Sequence, residues 1–198
     1  MNDSDVALLT DDLPNTVEIA GKEVPIHTDF RNGIQFERLV LDGSIEDAVK
    51  VNTALMLFFG DYARIRNREA AIEAALWFYS CGRYPTSDTK GQKPSKRYYD
   101  YAADARLIYA AFLDQYHIDL QTSELHWWQF CAMLAGLKAD AEFSKIIGYR
   151  AIDVSKVKNQ EERARYRRLQ ALYALPDNRT HEEKVASAGA AFGRSAGI

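Results

Sequence analysis

The stretch that decides the fold class is Leu125-His126-Trp127-Trp128-Gln129-Phe130-Cys131-Ala132-Met133-Leu134, which lies in a predicted helix over residues 123–137. Apolar side chains occupy nearly its whole circumference, and only Thr122, His126 and Gln129 form a narrow polar strip. A helix with this pattern is buried on most sides. The stretch therefore predicts a helical bundle with this helix at its centre. We also expect the indole and imidazole groups to find backbone hydrogen-bond partners inside the core.

Helical spacing of apolar residues predicts further helices before the central one. Asp29 is a predicted N-cap for the first, Ser44 with Asp47 a capping-box-like start for the second, and residues 67–81 form the third, which Gly82 ends. The stripes predicted to face the core are Ile34, Phe36, Leu39 and Val40 in the first helix, Ile45, Val49, Met56 and Phe59 in the second, and Ile72, Ala75, Leu76 and Tyr79 in the third.

The pattern resumes after residue 100 and continues almost to the end of the chain. Tyr101, Ala105, Ile108, Phe112 and Tyr116 have helical spacing. Beyond the central helix, we predict one helix over residues 141–150 and a longer one over 155–175, which Pro176 closes.

A short β-hairpin is predicted at the start of the fold. Val17 and Ile19 alternate with polar residues, as do Val24 and Ile26, on either side of a turn at Ala20-Gly21-Lys22. Pro25 favours an edge position for the second strand. The predicted fold class is therefore mainly α, a bundle of about six to seven helices with a short N-terminal β-hairpin.

The organisation of the chain follows from where periodicity fails. We predict a flexible N-terminus over residues 1–15, a single mostly helical domain over 16–177, and a flexible Ala/Gly-rich tail over 178–198. Within the domain, Pro85, Gly91 and Pro94 punctuate a run of lysines and arginines. This run predicts an exposed, mobile basic loop over residues 83–97.

Length and composition are those of an ordinary globular protein. The 198 residues are 47% hydrophobic and 27% charged, with a formal net charge of -3. So small a charge does not by itself indicate a nucleic-acid or membrane partner. Charges interrupt the apolar runs well before about 18 residues, which excludes a membrane-spanning helix. The acidic start Met1–Asp5 does not resemble a secretory signal, so we expect a cytoplasmic protein.

No pattern predicts a metal site. His117 and His126 are too far apart for the close helical spacing that zinc ligands use. Asp100 and Asp104 could together hold a hard cation, but a cation site needs more ligands than these two. A pair of acids at this spacing is more often a solvated helix face, which is the interpretation we favour.

Nucleophilic and phosphate chemistry have equally little support. Cys81 or Cys131 could approach His117 or His126 in space, yet thiols within aromatic runs are usually inert. No nucleophile elbow, phosphate-binding loop or dinucleotide fingerprint occurs. We therefore predict no catalytic, cofactor-binding or metal-binding residues, and a protein that is not an enzyme.

A basic segment over residues 145–168 is the one local charge signal. Its cations are Lys145, Arg150, Lys156, Lys158, Arg163, Arg165, Arg167 and Arg168. Together with the loop 83–97, they could bind phosphate groups of a nucleic acid. Arginines late in a helix also complement its dipole, so we favour a solvated helix face.

Several short strings of this sequence carry a resemblance to a known protein family. They are Ile26-His27-Thr28-Asp29-Phe30-Arg31, Ala75-Leu76-Trp77-Phe78-Tyr79, residues 104–112, 116–120, Leu125-His126-Trp127-Trp128-Gln129-Phe130, Phe143-Ser144-Lys145-Ile146-Ile147-Gly148-Tyr149-Arg150, and Leu172-Tyr173-Ala174-Leu175-Pro176-Asp177. With them, residues 16–177 resemble the bacteriophage gene-product-fifteen family, a group of tail-module proteins from long-tailed phages and prophages.

The resemblance implies a function in tail assembly. Such genes typically lie between those for the major tail protein and the tape-measure protein, where many phages encode tail assembly chaperones. It implies a protein of the host cytoplasm that binds the tape-measure protein and tail-tube subunits, with a homo-oligomer as one possible form. A structural component retained in the virion and a nucleic-acid-binding regulator are the alternatives. An exposed apolar patch on the last two helices would serve a chaperone, with Leu169, Leu172 and Tyr173 as its candidates unless they pack inward.

Overall fold

The computed structural model describes residues 9–82 and 97–176, and in these residues the chain forms a two-stranded hairpin and seven α-helices. The predicted mainly α fold with an N-terminal hairpin is thus confirmed. The elements are β1 (Thr16–Ile19), β2 (Lys22–Pro25), α1 (Phe30–Leu41), α2 (Asp47–Phe59), α3 (Arg68–Tyr79), α4 (Ala105–Tyr116), α5 (Trp127–Ala135), α6 (Glu142–Ala151) and α7 (Gln160–Leu172). Residues 1–8, the basic loop up to residue 96 and the tail 178–198 lie outside the described residues.

The hairpin is built as its sequence predicts. β1 and β2 are antiparallel, with Val17 opposite Val24, and Ala20 and Gly21 both have positive φ, as a tight two-residue turn requires. Val17 and Ile19 are buried, and β1 packs against α3. A lone hairpin is marginal in water, so this contact stabilises it.

Local signals place two of the helix starts correctly and one wrongly. The Asp29 carboxylate accepts a hydrogen bond from the Arg31 amide (2.8 Å), and Asn67 caps α3 in the same way. The predicted capping box at Ser44 is wrong, because Glu46 precedes α2 and makes no side-chain cap hydrogen bond. Ser44 instead donates from both its amide and its hydroxyl to Asp42.

The faces that α1, α2 and α3 bury differ in part from the predicted stripes. Their buried large residues are Phe30 and Phe36 in α1, Leu55 and Phe58 in α2, and Phe78 in α3. Four residues predicted to face the core are exposed instead: Val40, Val49, Met56 and Leu76. Apolar residues occur around most of α2, so its sequence is compatible with more than one inward face, and packing against α1 and α3 selects one.

Helix α5 lies at the centre, as predicted. Trp127, Trp128 and Phe130 are buried, and α5 packs against both α1 and α4. The Phe130 ring stacks on those of Phe30 and Phe112 at centroid distances of 4.8 and 5.1 Å. α5 therefore joins the first half of the fold to the second through one aromatic stack.

The second half is a succession of pairwise contacts. α4 packs on α6, and α6 packs on α7. α7 also contacts the 3₁₀ turn Val154–Lys156 before it, and none of its residues is buried. In the part of the chain that the structure describes, no helix is long and apolar enough to cross a membrane.

Candidate functional site

The segments before α1 and before α5 cross at a short junction. The Phe30 amide donates to the Leu125 carbonyl (3.0 Å), and the Trp127 amide donates to the Thr28 carbonyl (2.7 Å). Asp29 and His126 thereby form an isolated antiparallel bridge. The N-cap residues of α1 and α5 are thus held side by side, which fixes the position of one helix relative to the other.

The Arg31 side chain links the two segments of this junction. Its guanidinium pairs with Asp29 (2.8 Å), and the other end donates to the carbonyls of Leu120, Gln121 and Ser123 at 2.7–3.2 Å. The guanidinium also lies 4.6 Å from the centroid of the Phe30 ring. Arginine suits this position because its planar fork can donate to several carbonyls at once. The Arg31 side chain of α1 therefore holds the loop before α5 by the backbone carbonyls of that loop.

The polar atoms of the central helix have backbone partners, as predicted. The indole N–H of Trp127 donates to the Tyr79 carbonyl (2.8 Å), and that of Trp128 donates to the Phe78 carbonyl (2.7 Å). His126 accepts from the Trp128 amide at Nδ1 and lies 3.1 Å from the Pro14 carbonyl at Nε2. Burial lowers the pKa of His126, which favours the neutral ring that this cap needs.

Asp100 and Asp104 are buried, so the solvated face predicted for them is wrong. Only 2% of Asp104 is exposed, and its carboxylate makes a bidentate pair with Arg150 at 2.7 and 2.9 Å. Asp100 accepts the amides of the following turn and pairs with Arg97 (3.0 Å). Because the Arg150 partner comes from α6, the spacing of the two acids could not reveal it.

A half-buried cluster of a carboxyl and phenols was not predicted. The Tyr79 hydroxyl donates to Glu37 (2.6 Å), and the rings of Tyr99 and Tyr101 lie 5.3 Å apart beside them. Burial raises the pKa of Glu37, and the hydrogen bond from Tyr79 opposes it with a smaller effect. Burial is also the largest cause of the raised pKa values of Tyr79, Tyr99 and Tyr101. These phenols stay protonated, and the Tyr79 hydroxyl can therefore donate to Glu37.

The basic segment 145–168 loses two members to internal contacts. Arg150 is buried in its pair with Asp104, and Arg163 donates to the Val157 carbonyl at 2.7 and 3.0 Å. Exposed cations remain at Lys145, Lys156, Lys158, Arg165, Arg167 and Arg168. Most cations of the segment are therefore solvated, but they are spread over α6, the residues between the two helices and α7 rather than over one helix face.

The sequence profile described as Bacteriophage Gp15 protein matches residues 9–175. The chain belongs to the bacteriophage Gp15 family. No curated protein and no solved structure matches it significantly.

The strings that resemble Gp15 proteins are those that build the junction. Residues 26–31 supply Asp29 and Arg31, residues 125–130 supply the N-cap and the indoles, and residues 75–79 supply the carbonyls that accept from the indoles. Arg150, at the end of the string 143–150, holds Asp104. The polar side chains of these strings thus hold helix ends and backbone carbonyls of separate elements in place.

In the described part of this Gp15 protein, the cysteines and histidines considered as candidates occupy separate structural positions. Among residues 9–82 and 97–176, no group of three histidine, cysteine, aspartate or glutamate side chains is placed to hold a metal ion. Cys81 and Cys131 are half-buried. His117 ends α4 in a left-handed conformation and is exposed, whereas His126 caps α5. His117 and His126 thus lie at the ends of two different helices.

Exposed apolar side chains mark a candidate partner surface. Val49 and Met56 are separated by two turns on one face of α2 and are 48% and 59% exposed. Val40, near the end of the adjacent α1, is 51% exposed. Of the patch predicted on the last helix, Leu172 is exposed, whereas Leu169 and Tyr173 are half-buried. Val49 and Met56 are thus two exposed apolar side chains on one face of α2, a helix whose Leu55 and Phe58 are buried.

Proposed function

We propose that this chain is a non-enzymatic tail assembly protein of a phage or prophage, acting as a tail assembly chaperone. In this role it binds the tape-measure protein and tail-tube subunits in the host cytoplasm, in several copies on each client chain. Membership of the Gp15 family supports a phage origin. The observation that carries the proposal is the pair of exposed apolar side chains, Val49 and Met56, on the outer face of α2, which a client could cover.

The geometry suits a binding role because the exposed side chains stand on a rigid support. α2 buries Leu55 and Phe58 completely on its inner side, and the Phe58 ring meets those of Phe36 and Phe78 edge-on. An amphipathic helix of a client can lay its apolar side against Val49 and Met56 without any rearrangement of this core. Weak contacts of this kind, repeated along a long client, add up to high avidity.

The proposal is tested by co-expression with the tape-measure protein encoded in the same phage. We expect the tape-measure chain to stay soluble and to co-purify with several copies of this protein. The double variant Val49→Glu/Met56→Glu should lose co-purification, because each glutamate would have to be desolvated against the client. Leu172→Glu is a control, since it also introduces a glutamate at an exposed apolar position, but on α7.

Two results would contradict the chaperone role. The first is a tape-measure protein that stays insoluble and unbound although this protein is folded and abundant. The second is this protein at stoichiometric level in purified virions, which mass spectrometry detects. A structural component of the tail would then be the better assignment.

A nucleic-acid-binding regulator is less well supported. Two cations of the basic segment are occupied by Asp104 and by the Val157 carbonyl. Steeply salt-dependent binding to duplex DNA would be its signature.

A further inference from the structure

Helix α7 is attached to the fold by contacts of an unusual kind. None of its residues is buried, and among the described residues its main packing contacts are with α6 and the 3₁₀ turn before it. Its half-buried apolar side chains are Ala164, Tyr166 and Leu169, with Tyr173 just beyond its end. Apolar burial, the usual source of helix docking energy, is therefore small here.

Polar contacts at the end of α7 replace that burial. The Gln170 carboxamide donates to the carbonyls of Tyr149 (2.9 Å) and Ile152 (2.8 Å), which lie at the end of α6. Arg150 donates to the Tyr173 carbonyl (2.6 Å), and the rings of Tyr149 and Tyr173 stack at 6.2 Å. We call these contacts the α6–α7 latch.

The beginning of α7 is instead held by its own neighbours in sequence. Asn159 accepts the amides of Glu161 and Glu162, and Arg163 reaches back to the Val157 carbonyl. Asp153 closes the 3₁₀ turn through Ser155. These contacts survive if the far end of the helix leaves α6, so residues 153–159 can act as a hinge.

We propose that α7 is a detachable arm, which leaves α6 when the α6–α7 latch opens while the hairpin and α1–α5 remain folded. Because a free helix of 13 residues is marginal in water, the released part of α7 beyond its capped first turn unwinds. Opening exposes the end of α6 with Tyr149 and Ile152, together with the inner side of α7. Asp104 still holds Arg150, so the buried ion pair is not lost in the open state.

Hydrogen exchange followed by mass spectrometry tests this arm directly. We expect peptides from α7 to exchange well before peptides from α5 under conditions in which the whole protein is folded. The variant Gln170→Ala should speed exchange in α7 by about tenfold to a hundredfold, because it removes two latch hydrogen bonds, and should leave α1, α3 and α5 unchanged. Arg167→Ala, at an exposed position of the same helix, is the control and should leave the α7 rate close to that of the wild type.

Two outcomes would overturn the proposal. One is protection of α7 equal to that of α5, which would mean that α7 opens only on global unfolding. The other is an equal acceleration of all helices in Gln170→Ala. The test requires no client, so its failure is distinguishable from failure of the proposed chaperone function.

Discussion

Replacing Gly33 by alanine is expected to destabilise the protein, although alanine is the better helix former. Gly33 lies within α1, where alanine would contribute about 0.5–1 kcal/mol of helix propensity. A Cβ at this position would lie 2.3 Å from Cε3 and 2.5 Å from Cδ2 of Trp127. Apolar carbon atoms are normally about 3.5–4.0 Å apart, so the indole would have to retreat by roughly 1 Å.

The indole of Trp127 has little room to retreat. It is 2% exposed, donates to the Tyr79 carbonyl (2.8 Å), and stacks on the rings of Tyr79 and Phe130 at 5.3 and 5.8 Å. Overpacking a core of this kind costs about 1–3 kcal/mol, and weakening the indole hydrogen bond adds about 1 kcal/mol. After the gain in helix propensity, the net loss in the free energy of unfolding is about 2 kcal/mol. That corresponds to a melting temperature roughly 4–8 °C lower.

Chemical denaturation and thermal melts followed by circular dichroism measure this change. Gly148→Ala is the matched control, because Gly148 is also helical but nothing lies within 4 Å of the Cβ position. The control should be more stable than the wild type by up to about 1 kcal/mol. If Gly33→Ala is as stable as Gly148→Ala, the close approach of α1 to Trp127 does not constrain the fold, and the reasoning is refuted.

Three further substitutions test the charged and polar groups of the fold by denaturation. Asp104→Ala should cost about 3–5 kcal/mol because it leaves Arg150 buried without its carboxylate, and a loss under 1 kcal/mol would contradict this. Glu37→Gln should be more stable than the wild type at pH 8, because burial raises the pKa of Glu37 and the charged carboxylate therefore destabilises the folded state. This difference in the free energy of unfolding should vanish as the pH falls towards 4.5, where the wild-type carboxyl is protonated in the folded state. His126→Asn keeps an acceptor for the Trp128 amide but removes the group that titrates. Because the pKa of His126 is lowered in the folded state, the wild type should lose stability as the pH falls below 6.5, whereas the variant should not. Equal losses of stability in the two proteins would refute this role of His126.

Features that depend on neighbouring residues could be predicted from the sequence. The cap at Asp29 and the start of the third helix near Asn67 each need only a few adjacent positions, and the structure has both. The helix ends earlier than predicted, at Tyr79, and both Cys81 and Gly82 after it have positive φ. The hairpin follows from alternation around Ala20 and Gly21 in the same way. The predicted capping box at Ser44 is absent because the Asp42 carboxylate accepts the Ser44 amide, which Asp47 would accept in a capping box.

The candidate partner surface could not be predicted, because it consists of the apolar side chains that stay exposed once the helices have packed. Val49 and Met56 have the hydrophobicity of core residues, and only the docking of Leu55 and Phe58 against neighbouring helices turns them outward. The Glu37–Tyr79 contact joins residues 42 positions apart, and no local pattern signals it.

By itself, the sequence determined that the protein is mainly helical, that the helix of Trp127 and Trp128 is central, and that the chain resembles the Gp15 family. Those properties reside in short-range periodicity and in strings of adjacent residues. Only the tertiary structure decided which faces are buried, that Arg150 neutralises Asp104, and that α7 is held by polar contacts. Each of these depends on how separate elements pack together, because packing geometry and not residue spacing selects the buried faces and the electrostatic partners.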